Sequence, residues 1–340
     1  MANRQWYKKR SVWSAIVLSA ALLIGGDTSG LAKEAPVRPP LHTWVVYWDR
    51  EDGLAELRAA EAAGMAYKGV SYFGAQFDEK DRLYVIPKAV PVKDAATAYL
   101  TFVNDIVGTG ISASKDTAVV ARVLANRSDR ERHAEEVITL AMAQGAAGIE
   151  MDYEQVWKDE ALSKKYTDFL AILYKKAQRR GIPVRVMLDP GGRYKEISLP
   201  NGPTYVIMAY NLYGVHSKEP GPKADYAFLR KMMVSLQHVP APKGLALSAG
   251  GAYWSSDGQR RFLSTPEALA LATSHEATPI QDPLSGAWHF SYTDEKGHYN
   301  TVWYGDKDTI TKWMAAVTPY GLDTIGLWRM GDHETVYGWQ

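Results

Sequence analysis

The chain has no cysteine in its 340 residues. That excludes disulfides, a thiol nucleophile and a thiolate metal site. It also lacks an excess of either charge: 39 Lys and Arg stand against 38 Asp and Glu, for a net charge of +1. Nothing electrostatic therefore points to nucleic acid or to an anionic membrane surface. Its eight His are scattered, with no H-E-x-x-H pair, so no metal ion and no cofactor is expected. There is no internal repeat and no low-complexity tract. No apolar run reaches the roughly 20 residues of a comfortable membrane span. The chain does have apolar residues at 46% of positions, 11 Trp and 20 Tyr. That is enough for a large core, with aromatic rings that can also stack on sugar faces.

The N-terminus reads as a secretory leader. Arg4, Lys8, Lys9 and Arg10 precede the apolar run 12–24, and Gly30-Leu31-Ala32 supplies small residues for cleavage. Residues 1–32 are expected to be a signal peptide, which implies a secreted or cell-envelope location. The alternative is retention as an uncleaved anchor. Cleavage would remove four basic residues and Asp27, taking the net charge from +1 to −2. With no Cys after the cleavage point, lipid attachment there is excluded. Residues 33–41 read as a short linker, and 42–340 as one domain, expected to be monomeric and without a stable membrane span after cleavage.

Beyond the linker, short apolar runs alternate with helical patterns. The strands expected are 43–48, 67–73, 117–124, 147–153, 184–188, 205–210, 244–248 and 324–328, each rich in β-branched or aromatic residues. Helical spacing is expected over 51–63, 95–107, 128–144, 162–180, 224–237 and 308–317, several of them closed by glycine. Eight strands alternating with helices indicate parallel βα units, and eight such units favour an α/β fold of the closed (β/α)8 TIM-barrel type. Residues 251–305 break the repeat. They contain a short helix near 266–274 and a hairpin pairing 288–293 with 298–304, read as a small insertion between strands seven and eight.

The chemistry concentrates in Gly148-Ile149-Glu150-Met151-Asp152-Tyr153-Glu154. Side chains alternate along a strand, so Glu150, Asp152 and Glu154 share one face. Three acids so close repel one another, and each raises the pKa of its neighbours. Glu154 falls just past the strand end, where catalytic groups of such barrels sit. A solvated edge strand or a divalent-cation site are the competing readings. The apolar opening of the strand argues against the first, and the lack of a further Asp or His cluster argues against the second.

These residues resemble the D-G-x-D-x-D-x-E signature of glycoside hydrolase family 18. Met208-Ala209-Tyr210-Asn211 resembles the M-x-Y-[DN] of that family's sixth strand, and Gly326-Leu327-Trp328-Arg329-Met330-Gly331 its eighth-strand segment with an inward Trp. The stretch from Phe290 to Trp328 is similar to the bacterial branch of spore-cortex and cell-wall hydrolases, although no LysM repeat is visible. The resemblance implies a retaining, substrate-assisted glycosidase of N-acetylglucosaminidase or chitinase type, in which the 2-acetamido oxygen is the nucleophile. Glu154 would protonate the leaving oxygen. Asp152 would orient the acetamido group, with Glu150 as the third catalytic carboxylate, and Tyr210 would donate to the acetamido oxygen. Met208 and Trp328 would bind the sugar, Trp328 as its floor, and Asn211 would support the sugar or the acid.

Two positions depart from the signature: Ala147 and Glu150 stand where the family has Asp. Glu150 is one methylene longer, which bears on proton sharing with Asp152 and hence on the pH optimum. Tyr47, Trp48 and Tyr72, at the ends of strands one and two, and Trp254, after strand seven, are candidates for sugar contact; barrel packing is the competing role for each. The expected partner is N-acetylglucosamine-containing polysaccharide, of peptidoglycan or chitin type. The alternative from another class is a non-catalytic, chitinase-like carbohydrate-binding barrel.

Overall fold

The computed structural model describes residues 38–91, 97–108 and 112–332. The expected leader, 1–32, and positions 33–37 of the expected linker lie outside the described residues. The linker's last residue, Leu41, already opens the first strand.

Eight strands run in parallel: β1 (Leu41–Val45), β2 (Tyr67–Phe77), β3 (Thr97–Val107), β4 (Gly148–Asp152), β5 (Val184–Leu188), β6 (Thr204–Met208), β7 (Lys243–Ser248) and β8 (Thr324–Trp328). Each pairs with the next, and β8 returns to β1, so the sheet closes as a (β/α)8 barrel. Closure removes the exposed edges of the ring, and the surrounding helices bury the strands on their outer face as well. Accordingly β1, β4 and β5 are buried at every position.

The helices are α1 (Arg50–Ala62) after β1, α2 (Thr117–Val123) and α3 (Arg127–Ala143) after β3, and α4 (Glu160–Gln178) after β4. They continue with α5 (Tyr226–Leu236) after β6, then α6 (Thr265–Ser274) and α7 (Lys307–Val317) between β7 and β8. Most start on an Asp, Asn or Ser whose side chain accepts a free backbone N–H of the first turn: Asp116, Asn126, Asp159, Asp225, Ser264 and Asp306. Among the described residues no helix separates β2 from β3, or β5 from β6.

Two expectations are corrected. The third barrel strand is 97–107 and not 117–124, and the helix expected over 95–107 is absent. Leu100, Val103 and Ile106 recur at a spacing of three, which imitates a helix; in a barrel strand they are simply buried from both sides. Conversely, the run Ala118-Val119-Val120 is helical because Asp116 caps it, accepting from Val119 N at 2.8 Å. The two errors offset each other, so the strand count stays at eight.

The insertion is larger than a hairpin. The expected hairpin of 288–293 with 298–304 forms, its second strand observed at 299–305, but strands 250–255, 260–263 and 280–281 join it in a five-stranded antiparallel sheet. Helix α6 covers it, making a second core from Leu263, Ala268, Ala272, Phe290, Val302 and Tyr304.

Inside the barrel, glycines make room for rings. A Cβ on Gly326 would sit 2.3 Å from the Trp44 ring, and one on Gly148 would sit 2.4 Å from that of Tyr99. Trp44, Met187, Val206, Met208 and Ala246 form the interior apolar cluster, with Phe73, Tyr210 and Trp328 packed on it.

Candidate active site

The alternation expected on β4 holds. Ile149, Met151 and Tyr153 belong to the core between sheet and helices, which leaves Glu150 and Asp152 facing the barrel interior. The register then decides what each acid meets. Glu150 lies level with Thr101 on β3 and Arg185 on β5. Its carboxylate accepts from Trp44 Nε1 at 2.7 Å, Thr101 Oγ1 at 3.0 Å and Arg185 Nε at 3.0 Å, and His42 Nε2 stands 3.9 Å away. Glu150 is thus fully buried and saturated by donors, in a position with no open face for substrate. Expected as the third catalytic carboxylate, it meets the barrel's own donors and not the open end where Glu154 lies.

Asp152 lies level with Val103 and is 7% exposed. Its Oδ1 is buried with no hydrogen-bond partner among the described residues. Burial lifts its pKa well above the usual carboxylate range, the charges of Glu154 and Glu150 add to the rise, and Lys115 opposes it.

Glu154 follows the strand end and is held through its backbone. Asn104 on β3 accepts its N–H at 2.9 Å and donates to its carbonyl at 3.1 Å. The next residue, Gln155, turns the chain through a left-handed conformation (φ 64°), with its N–H given to Asp189 Oδ2 at 2.7 Å. The Glu154 carboxylate is paired with Lys115 Nζ at 2.6 Å. Burial raises the Glu154 pKa against the opposing effect of Lys115, with Asp189 and Asp105 adding to the rise.

Tyr210, just past β6, stacks on Trp328 at the end of β8, with ring centres 6.2 Å apart and planes 12° from parallel. Phe73 and Trp44 meet the same indole at 5.1 and 5.8 Å. Burial, then the charges of Asp152 and Glu154, hold the Tyr210 hydroxyl far above its ordinary pKa, so it is a neutral donor at any physiological pH. The peptide joining Trp328 to Arg329 is cis.

A cavity of about 380 Å³ opens beside these rings, lined by Trp48, Tyr210, Asn211, Trp328 and Arg329, with Phe262 and Glu267 from the insertion. Lys223 stands in its wall, donating to Ser248 Oγ at 2.9 Å and the Ala249 carbonyl at 2.6 Å; burial brings its pKa down to about 8. Arg329 reaches across to Asp49 at 2.6 Å, tying the end of β8 to that of β1. A larger cavity, about 500 Å³, lies in the outer layer against α4 and shares no residue with the barrel interior.

The structure therefore brings Asp152, Glu154, Tyr210, Asn211, Trp328 and Trp48 to one end of the barrel. Trp48 is 54% exposed, and Tyr47 packs edge-on against it. Met208 lies beneath, in the interior cluster. Two candidates fall elsewhere. Tyr72 is buried in the core between sheet and helices, because it sits on the outward face of β2. Trp254 is buried in the insertion, its Nε1 donating to the Ser217 carbonyl at 3.1 Å. Sequence reasoning does not single out Lys115, Asn104, Asp189 or Lys223. Asp189 alone carries a signal, its place just after a barrel strand.

Among the described residues no cluster of His, Asp and Glu could hold a metal ion, and no helix is long and apolar enough to cross a membrane.

A scan against models of known protein families returns no match. In sequence the chain is similar to a Bacillus subtilis protein described as the uncharacterized glycosylase YvbX, 23% identical over 232 residues, 64% of this chain and 67% of that one. It is also similar to YdhD of the same organism, whose name likewise carries the word glycosylase: 27% identical over 238 residues, 64% of this chain and 55% of that one. In structure it is similar to the spore cortex-lytic enzyme SleL of Bacillus cereus, with a TM-score of 0.73 at 17% identity, covering 86% of this chain and 71% of that one. The chitinase of Chromobacterium violaceum gives 0.72 at 17% identity, covering 87% and 95%. The chain thus has the (β/α)8 barrel fold of these spore cortex-lytic and chitinase structures.

Proposed function

We propose that this chain is an exported retaining glycosidase that cleaves N-acetylglucosamine-containing polysaccharide by substrate-assisted catalysis. The observation that carries the reading is the pair Asp152 and Glu154: one buried and one partly buried carboxylate, both with raised pKa, at the barrel end where Tyr210 stacks on Trp328. A raised pKa suits a group that must hold a proton near neutral pH and release it to a leaving oxygen.

In the proposed reaction a sugar lies over the Trp328 indole, and its acetamido group turns toward Asp152 and the Tyr210 hydroxyl. Glu154 protonates the glycosidic oxygen as the acetamido oxygen attacks the anomeric carbon from the other face. The glycosidic bond breaks, the leaving sugar departs with the proton, and a cyclic oxazolinium remains. The unpartnered Oδ1 of Asp152 is available to the acetamido N–H, so Asp152 stabilises the cation. Water activated by Glu154 then opens the ring, and the configuration is retained. The similarity to proteins named glycosylase, SleL and chitinase supports this substrate class. Export rests on the sequence of residues 1–32.

The Lys115–Glu154 ion pair gives a specific reason to keep a second reading, a binding barrel whose acid is neutralised. Incubation of the purified protein with N-acetylglucosamine oligomers and with peptidoglycan, followed by identification of new reducing ends, separates the two. Wild type is expected to release N-acetylglucosamine reducing ends and Glu154→Gln to release none. Equal and zero release from both would leave only the binding reading.

A further inference from the structure

Lys115 lies on the segment between β3 and α2, and its ammonium contacts the acid proposed to protonate the leaving group. Its backbone is fixed, with the N–H given to Asp105 Oδ1 at 2.7 Å, while the side chain keeps 39% exposure. The Glu154 side is the more rigid one, clamped at both backbone groups by Asn104. Of the two partners, Lys115 is the one free to turn away.

An ion pair of this kind favours the ionised form of Glu154, which cannot donate a proton. Lys115 thus works against the burial that raises the Glu154 pKa, and proton donation is favoured when Lys115 takes another partner. The cavity over Trp328 is built from the ends of β1, β6, β7 and β8 and from the insertion. Lys115 follows β3, which stands opposite β7 in the closed ring of eight. It thus approaches Glu154 from the β3 side, away from the strand ends that line that cavity, and the leaving group of a sugar seated over Trp328 would lie on this side of Glu154. A neutral sugar offers this cation only hydroxyls. A carboxylate offers a charge-assisted bond of the same kind as the one given up.

We infer that Lys115 selects a leaving sugar that bears a carboxylate, and that the carboxylate draws the ammonium off Glu154. This inference rests on the proposed glycosidase reading and narrows it: the preferred linkage joins N-acetylglucosamine to an acidic sugar, such as a muramic acid with a free lactyl group. Lys115 acts as a positioning and specificity residue, since it reaches the reacting atoms through Glu154. The other charged groups around the pair are Asp152 on β4, Asp189 after β5 with Lys158 near it, and Asp105 on β3. All of them stay in place when Lys115 alone is changed.

The test uses three substrates with an N-acetylglucosamine glycon, whose leaving sugar is N-acetylglucosamine, N-acetylmuramic acid or the methyl ester of that acid. kcat/KM and Kd are measured for each with wild type, Lys115→Met and Lys115→Arg. Wild type is expected to prefer the acid to its ester by about tenfold. Lys115→Met should bring the ratio near one, and Lys115→Arg should keep most of it. In Lys115→Met the high-pH limb of kcat/KM should also move up, because the cation that lowers the Glu154 pKa is gone. A wild type that treats acid and ester alike, or a Lys115→Met that keeps the preference, overturns the inference. Wild type that cleaves none of the three sinks the glycosidase reading instead; the acid-to-ester ratio of Kd then decides Lys115 by itself, equal values overturning it.

Discussion

Glu150 and Asp152 are two residues apart on one strand, both buried and both inside the barrel, yet their surroundings are opposite. Glu150 is level with Thr101 and Arg185, and Trp44 reaches it from β1, so its charge is matched and its oxygens are occupied. Asp152, one step nearer the C-terminal end of the strands, is level with Val103 and has an oxygen without a partner. One layer spends its polar groups on holding strands together; the next withholds them. A buried carboxylate without donors is unfavourable in the resting protein, and such costs gather where a ligand is to supply the missing partner. The comparison teaches that a run of acids on a strand is not one functional unit. The flanking strands divide it.

The largest expected effect breaks the upper layer. Glu154→Gln keeps the shape and removes the transferable proton, so kcat should fall on the order of 10³-fold while the melting temperature holds or rises. An equal loss of activity and of folded protein would instead place Glu154 with Glu150 as a structural acid.

The lower layer breaks through Arg185. Arg185→Met removes the ion that faces Glu150 and leaves a buried charge unmatched, for a loss of about 3–5 kcal/mol in denaturant unfolding. Stability unchanged within error would mean that Glu150 does not depend on its ion pair. A milder change at the same site is Thr101→Val, which keeps the volume but removes one donor to a charged acceptor. The expected cost is about 2 kcal/mol, with kcat little altered; a large fall in kcat at full stability would tie Glu150 to the chemistry after all.

This division was only half legible in the sequence. The alternation on 148–154 shows which acids share a face, and the strand end singles out Glu154. What Glu150 meets depends on the register of β4 against β3 and β5, and β3 itself was not recognisable. Its middle, Leu100 to Asn104, is buried on both faces, so the period-two pattern that marks a half-exposed strand is erased. The aromatic floor was readable because Tyr210 and Trp328 lie at strand ends within distinctive segments. Tyr72, also near a strand end, illustrates the limit: facing alone decides between cleft and core. Lys115 had no local signal, since an isolated Lys in Ser114-Lys115-Asp116 reads as surface and only the closed barrel brings it to Glu154. The insertion's extra strands are short or glycine-rich, too weak in pattern to register beside the 288–305 hairpin.

The smallest effect sharpens the comparison by its sign. Burial raises the Asp152 pKa in the native protein above its value in the unfolded chain, about 3.9. A carboxyl group shifted that way binds its proton more tightly when folded. Its contribution to stability is fully present below the unfolded value and is lost as pH rises through the raised native one. Glu154 and Asp189 are shifted in the same direction, so wild type should lose stability as pH climbs from about 4 toward neutrality and beyond. Asp152→Asn takes one of these groups out of the titration. It should match wild type near the acid end and exceed it by about 1 kcal/mol around neutral pH, with hydrolysis largely lost. The corresponding neutralisation one layer down, Glu150→Gln, should destabilise at neutral pH, because Arg185 then loses its counter-charge. Urea unfolding of both variants across this pH range makes the comparison direct. Asp152→Asn less stable than wild type at neutral pH would show that its charge is matched in the folded protein as well as that of Glu150.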